Sequence, residues 1–285
     1  MDRNRPIAVI GSGTMGNGIA QVLAQSKFPV TLIDVAPEIL DRAKASIDKS
    51  LERLVKKGAL PADEKQTIIG RVKFTTKLEE VRDAQMVIEA IIEDAAVKKD
   101  LFGRLDALMP PGAILASNTS SISITELGAA TKRADRVIGM HFMNPVPVMQ
   151  LIEIIRGLAT SDATLSETVA LAKELQKTPV AVQDYPGFVA NRILLPMINE
   201  AVYCLMENLA SPEDIDTVMK LGMNHPMGPL ALADLIGLDI CLNVLNVLYD
   251  GLGDPKYSPC PLLVKMVKAG YLGRKTKRGF YDYNA

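Results

Sequence analysis

The chain holds two histidines, His141 and His225, and the first stands where a base handling a proton near neutral pH would be placed. His141 leaves the apolar run Val137–Met140 and is followed by Phe142-Met143-Asn144-Pro145, a break into a loop. A lone histidine is more often structural, but a strand exit is the edge where open α/β sheets bind ligands. His225 lies in Asn224-His225-Pro226-Met227-Gly228-Pro229, a turn between helices, and reads as structural or substrate-lining. Ser117-Asn118-Thr119-Ser120-Ser121 leaves another apolar run on the same edge. Its hydroxyls can cap a helix starting at Ile124 or hydrogen-bond a substrate oxygen. Glu153 interrupts Leu151–Ile155, which otherwise reads as a fully buried strand. A carboxylate there is costly without a partner. A histidine that becomes cationic during turnover would satisfy it, and so would a salt bridge to a basic residue such as Arg156.

A second constellation suits a dinucleotide. Gly11-Ser12-Gly13-Thr14-Met15-Gly16 follows the apolar strand Ile7–Ile10 and opens a helix through Gly18–Ser26. The first glycine permits a tight turn, the second lets backbone approach a pyrophosphate, and the third lets helix and strand pack closely. The helix N-terminus then offers free N–H groups and a positive dipole end to the phosphates. Alone, these glycines could make an ordinary βα turn. Asp34, closing the next strand Val30–Ile33, decides the matter. A carboxylate there accepts from both ribose hydroxyls and repels a 2′-phosphate, so NAD is expected rather than NADP. No metal is expected, because the two histidines are far apart and no His/Cys cluster has ligand spacing.

The elements that must position these residues come in two blocks. Strands are expected at Ile7–Ile10, Val30–Ile33, Met86–Ala90, Ala113–Ser117, Val137–Met140, Leu151–Ile155 and Val180–Val182, with helices such as Val97–Leu108 between them. This rhythm predicts an α/β fold: a Rossmann-type, mainly parallel sheet with helices on both faces, over residues 1–185. From residue 186 to 285 the pattern is helical, with helices over Val189–Asn208, from Ser211-Pro212-Glu213-Asp214, over Leu230–Tyr249 and over Leu262–Lys268. That second block is unusually apolar, which predicts a subunit interface and a homodimer or higher homo-oligomer.

The bulk numbers exclude several classes. A net charge of −1 argues against nucleic acid as a partner. The three cysteines, Cys204, Cys241 and Cys260, have no paired spacing and read as inert thiols of a reducing compartment. The longest apolar stretch, Leu230–Val247, is broken by Asp234, Asp239, Asn243 and Asn246, and with a strand expected from Ile7 no signal sequence is expected. A cytoplasmic protein with no membrane association is expected.

Pro37–Lys57 reads as a long amphipathic helix, part of a helical pair projecting near residues 37–70. Ile39, Leu40, Ala43, Ile47, Leu51, Leu54 and Val55 form its apolar side, and Gly58 stops it. Ser46, Lys49, Ser50, Arg53, Lys56 and Lys57 form a basic, hydroxyl-bearing stripe opposite. On pattern alone this stripe is a solvated face.

Together these motifs resemble the L-3-hydroxyacyl-CoA dehydrogenase family, and its bacterial 3-hydroxybutyryl-CoA branch most. The resemblance rests on the glycine turn, Ser117–Ser121, His141–Pro145, Leu151–Ile155 and Pro186-Gly-Phe-Val-Ala-Asn191-Arg192. It continues through His225–Pro229, Leu232–Asp239 and Gly273–Tyr281, departing only at Lys277, where the family more often has glycine. It implies that His141 is the catalytic base, that Glu153 orients it, and that Ser120 and Asn191 hold the reacting oxygen in a cleft between the domains. It also implies that Glu93, Lys98, Asn118, Ser120 and Lys275 surround NAD, and that Ser50, Lys56 and Lys57 grip the phosphates of an acyl-CoA substrate. Two alternatives stay open: a dehydrogenase of a free hydroxy acid or sugar acid, and a non-catalytic nucleotide-binding structural protein. Intact Ser120, His141, Glu153 and Asn191 weigh against the latter.

Overall fold

Short, wholly apolar runs cannot sit at a surface, so they stack into a sheet that helices must cover. The computed structural model describes residues 1–284, and contacts divide them into two units, one of Met1–Asp184 and one beginning at Tyr185. The first unit carries eight strands: β1 (Ile7–Ile10), β2 (Val30–Ile33), β3 (Val72–Thr75), β4 (Met86–Glu89), β5 (Ile114–Ser117), β6 (Val137–Phe142), β7 (Leu151–Arg156) and β8 (Thr178–Gln183). They form one sheet in the order β3-β2-β1-β4-β5-β6-β7-β8. Its helices are α1 (Thr14–Gln25), α2 (Pro37–Lys56), α3 (Glu64–Gly70), α4 (Ala95–Leu108), α5 (Ile124–Ala129) and α6 (Asp162–Glu174).

The strand order runs one way from β1 to β3 and the other way from β4 to β6. Right-handed crossovers then put helices on opposite faces of the sheet, and the reversal leaves a crevice beyond β1 and β4. The first six strands pair in parallel. The sequence rhythm does not reveal that β7 turns back antiparallel to β6, with β8 parallel to β7. The connection from Phe142 to Leu151 is too short for a parallel crossover, which needs about a dozen residues or more. The β3 strand also went unread: it is a half-exposed edge segment, Val-Lys-Phe-Thr, with little apolar signal. Helix α1 starts at Thr14, ahead of the expected Gly18, because Asn17 N–H already closes a helical turn on the Gly13 carbonyl at 3.0 Å.

The second unit contains α7 (Ala190–Met206), α8 (Pro212–Thr217), α9 (Pro229–Ile236), α10 (Leu238–Leu252) and α11 (Pro261–Lys268). Leu195, Ile198, Val202, Leu230, Leu245, Leu248 and Leu263 are among its buried core. The helix expected over Leu230–Tyr249 is two helices. Gly237, at φ +106°, breaks the ladder in a conformation that side chains disfavour, and α9 and α10 meet at 98°. Among the described residues no single helix is long and apolar enough to cross a membrane.

Two buried aspartates lock this unit. Asp216 accepts the N–H groups of Leu230 and Ala231 at 2.8 and 2.9 Å and the Tyr281 hydroxyl at 2.8 Å, so it caps α9 and ties down the C-terminal segment. Asp234 accepts from Phe280 N–H, Tyr281 N–H and the Tyr283 hydroxyl. Burial raises the Asp234 carboxyl above the usual carboxylate range despite those donors. Replacing Asp216 with alanine would strand buried donors; urea unfolding should then report a loss of about 2–4 kcal/mol.

Candidate active site

The antiparallel register of β6 and β7 sets His141 directly opposite Glu153. Residues paired across two strands present their side chains to the same face. Accordingly, His141 Nδ1 lies 2.8 Å from Glu153 Oε2, with both residues buried. An ionised carboxylate only accepts, so this bond needs the proton on Nδ1 and leaves the lone pair of the neutral ring on Nε2. Ser120 Oγ stands 3.1 Å from that Nε2. Arg156, the other partner weighed for Glu153, pairs instead with Asp162.

The loop bearing Ser120 is held on all sides. Asn118 donates its N–H to the Glu89 carbonyl at 2.8 Å, and its Oδ1 accepts Phe142 N–H at 2.9 Å, joining the exits of β5 and β6. Glu93 Oε1 accepts the N–H groups of Ser120 and Ser121 at 2.9 and 3.2 Å, along with the hydroxyls of Thr119 and Ser121. Partial burial pushes the Glu93 carboxyl up, but the Lys98 ammonium and these donors outweigh it and hold it below the usual range. The helix cap expected from this hydroxyl run falls to Ser123, whose Oγ accepts Glu126 N–H and donates to Asp184. The serines at 120 and 121 are thereby not spent on α5.

Lys98, expected beside a dinucleotide, is 1% exposed and shared between Glu89 and Glu93 at 2.8 and 2.9 Å. Glu89 escaped the reading of the sequence. It closes an apolar strand as Asp34 does, and that placement was the available signal.

The glycine turn fits a dinucleotide. A Cβ on Gly11 would lie 2.4 Å from the Ala90 carbonyl, and one on Gly16 would lie 1.7 Å from that of Gly11, so backbone packs against backbone at both. At Gly13, by contrast, a Cβ would meet nothing within 4 Å, leaving open space above the turn. Gly13 caps α1 without a side chain, and no acidic residue stands in the first turn of the helix, which leaves its positive end for phosphate. Thr14 and Met15 begin that helix. Asp34 is bound to the turn: its Oδ2 accepts Ser12 N–H and Ser12 Oγ–H at 2.6 and 2.7 Å, and its Oδ1 accepts Val35 N–H at 2.7 Å. This fixes a carboxylate at the β2 exit, where adenosine hydroxyls would meet it.

The remaining candidates are dispersed. Lys56 and Lys57 are exposed at the end of α2 and Ser50 is half-buried along it. Lys56 also contacts Glu52 at 3.5 Å. Lys65 of α3 reaches Asp48 and Glu52 on α2, both at 3.0 Å, clasping the two helices together. Asn191 occupies the first turn of α7, and Lys275 pairs with Asp239; both belong to the second unit. His225 is half-buried in the loop before α9. Among the described residues no group of three or more His, Cys, Asp or Glu side chains is gathered to hold a metal ion.

Known proteins resemble this chain over nearly its whole length. Residues 6–185 match the family model of the 3-hydroxyacyl-CoA dehydrogenase NAD binding domain, and residues 187–283 match that of the 3-hydroxyacyl-CoA dehydrogenase C-terminal domain. The chain is 57% identical to the probable 3-hydroxybutyryl-CoA dehydrogenase of Bacillus subtilis, over 98% of this chain and 97% of that one. It is 54% identical to the 3-hydroxybutyryl-CoA dehydrogenase of Clostridioides difficile, over 98% and 99%. The crystal structure of an (S)-3-hydroxybutyryl-CoA dehydrogenase from Ralstonia eutropha superposes with a TM-score of 0.96 at 52% identity, covering 99% of both chains.

Asp34→Ala removes the carboxylate from the β2 exit. Titration with NADH and NADPH should show NADH binding weakened about 10- to 100-fold, and the preference over NADPH narrowed. An unchanged ratio would reduce Asp34 to a turn residue.

Proposed function

We propose, for a chain that belongs to the 3-hydroxyacyl-CoA dehydrogenase family, the NAD-dependent oxidation of short-chain (3S)-3-hydroxyacyl-CoA, 3-hydroxybutyryl-CoA foremost, and the reverse reduction of acetoacetyl-CoA. The observation that carries the chemistry is the relay from Ser120 Oγ to His141 Nε2 at 3.1 Å and from His141 Nδ1 to Glu153 at 2.8 Å.

The glycine turn and Asp34 would hold NAD, which would supply the hydride acceptor for the carbon bearing the 3-hydroxyl. The protein's task is the proton. His141 Nε2 takes it from the hydroxyl as the carbon–oxygen double bond forms, and the ring becomes an imidazolium. Glu153 steadies that cation through Nδ1–H and keeps the ring from turning. In reduction, Nε2–H returns the proton to the oxygen. Ser120 Oγ–H, already beside Nε2, donates to the reacting oxygen as charge develops on it. A role for Asn191 as a further donor rests on the Pro186–Arg192 motif. Asn118 and Glu93 act by holding the loop that carries Ser120.

The substrate handle we assign to α2. Its buried side, Leu40, Ala43, Ile47 and Leu51, anchors the helix, while Lys49, Arg53, Lys56 and Lys57 face outward as ammonium and guanidinium groups for CoA phosphates, with Ser50 between them. A homodimer or higher homo-oligomer is part of the same proposal. It is supported by large apolar side chains exposed on the second unit, among them Leu209, Leu221 and Met223 at 74%, 82% and 61%. A cytoplasmic, reducing setting is supported by the free thiols of Cys204, Cys241 and Cys260.

The deciding assay follows NADH absorbance on adding acetoacetyl-CoA, with NADPH and free acetoacetate as parallel arms. Rapid loss with NADH and the thioester alone is the expected result; equal loss with the free acid would return the α2 stripe to ordinary solvated surface. His141→Ala should lower kcat about 10²–10⁴-fold while NADH still binds by fluorescence. Near-normal turnover in that variant would remove His141 as the base.

A further inference from the structure

The reaction described above does not use Glu89, yet Glu89 is 0% exposed and its carboxylate is fully engaged. The parallel register of β4 and β5 pairs it with Ser117, the residue from which the Ser120 loop departs. Glu89 Oε2 accepts the Ser117 hydroxyl at 2.6 Å, while Oε1 accepts Ile91 N–H at 2.7 Å and the Lys98 ammonium at 2.8 Å. Lys98 gives a further N–H to Glu93 Oε2 at 2.9 Å, and Glu93 Oε1 receives the backbone of Ser120 and Ser121. Two carboxylates thus grip one short loop, Glu89 at its start and Glu93 along its length, and one enclosed ammonium sets the spacing between them.

Stability alone is a poor reason for such a group. A buried ion pair gains little over apolar packing, because desolvation offsets most of its attraction. What it does provide is a fixed position. Each end of the network is bonded to backbone or hydroxyl of residues 117–121, so a shift of Glu89 or Lys98 moves the loop.

We propose that Glu89 is a positioning residue for Ser120: through Ser117, Lys98 and Glu93 it sets the loop so that Ser120 Oγ stays within 3.1 Å of His141 Nε2. This rests on the reading of Ser120 as a donor to the reacting oxygen. Glu89 itself touches neither substrate nor cofactor in this scheme.

The test is a double-mutant cycle on the full chain, combining Glu89→Gln with Ser120→Ala. It reads kcat for acetoacetyl-CoA reduction, KM for NADH, and the melting temperature of each variant. Glu89→Gln should lower kcat about tenfold when Ser120 is present and less than about twofold when it is alanine, with any change in KM for NADH the same in both backgrounds. Equal losses in both backgrounds would overturn the proposal and leave the role of Ser120 standing, since Glu89 would then be acting on the site as a whole. A Ser120→Ala variant with the kcat of the parent would instead remove the functional reading of Ser120, and the positioning role with it. Should Glu89→Gln fail to fold, Ser117→Ala enters the cycle in its place. It removes no charge from the network, and an expected loss of about threefold must again vanish without Ser120.

Discussion

A base that must also return its proton needs one ring nitrogen committed and the other left to exchange a proton, and a single antiparallel strand pairing provides this. His141 and Glu153 are far enough apart in sequence that only the β6–β7 register brings them together. A slip of one residue would send the carboxylate to the opposite face of the sheet, leaving a charge among apolar neighbours and an imidazole free to turn. The return strand is otherwise Leu-Ile-Ile-Ile in character and deeply buried. The same burial that makes β7 a good strand therefore makes a partner such as His141 valuable to Glu153.

The other functional groups follow from how parallel strands end. Ile10 pairs with Glu89, Glu89 with Ser117, and Ser117 with Gly139, two residues short of His141. The carboxyl ends of adjacent strands thereby form a row, and each strand changes from apolar to polar at that row. Asp34 and the glycine turn stand at one side of the β1–β4 reversal, Glu89 and the serine loop at the other. Backbone carbonyls and amides released where pairing stops need partners. Glu93 and Asn118 supply them and so convert strand ends into a shaped edge.

Much of this was legible. The glycine turn between a buried strand and a helix, an acid closing the next strand, a histidine leaving a third and an acid inside a fourth each break a local pattern, and each break marks a residue with a task. The helix break at Gly237 was less visible, because the apolar periodicity continues through it and a glycine inside a helical pattern is tolerated. The β3 strand was invisible for a related reason: an edge strand buries only half its residues and carries little periodic signal.

What the residues by themselves, without the family resemblance, could not reveal was partnership. Glu153 could be recognised as needing a cation, but Arg156 was as good a candidate as His141 until the strand direction was known. Lys98 was expected beside NAD from the resemblance alone; only the position of α4 against the ends of β4 and β5 shows its ammonium enclosed by two carboxylates. A local pattern reports that a polar group is out of place, since burial is encoded by its immediate neighbours. The identity of the group that satisfies it depends on register and crossover, which join segments that share no local signal. The site is accordingly legible as a set of residues and illegible as a network, and it is the network that decides where the hydroxyl of Ser120 stands.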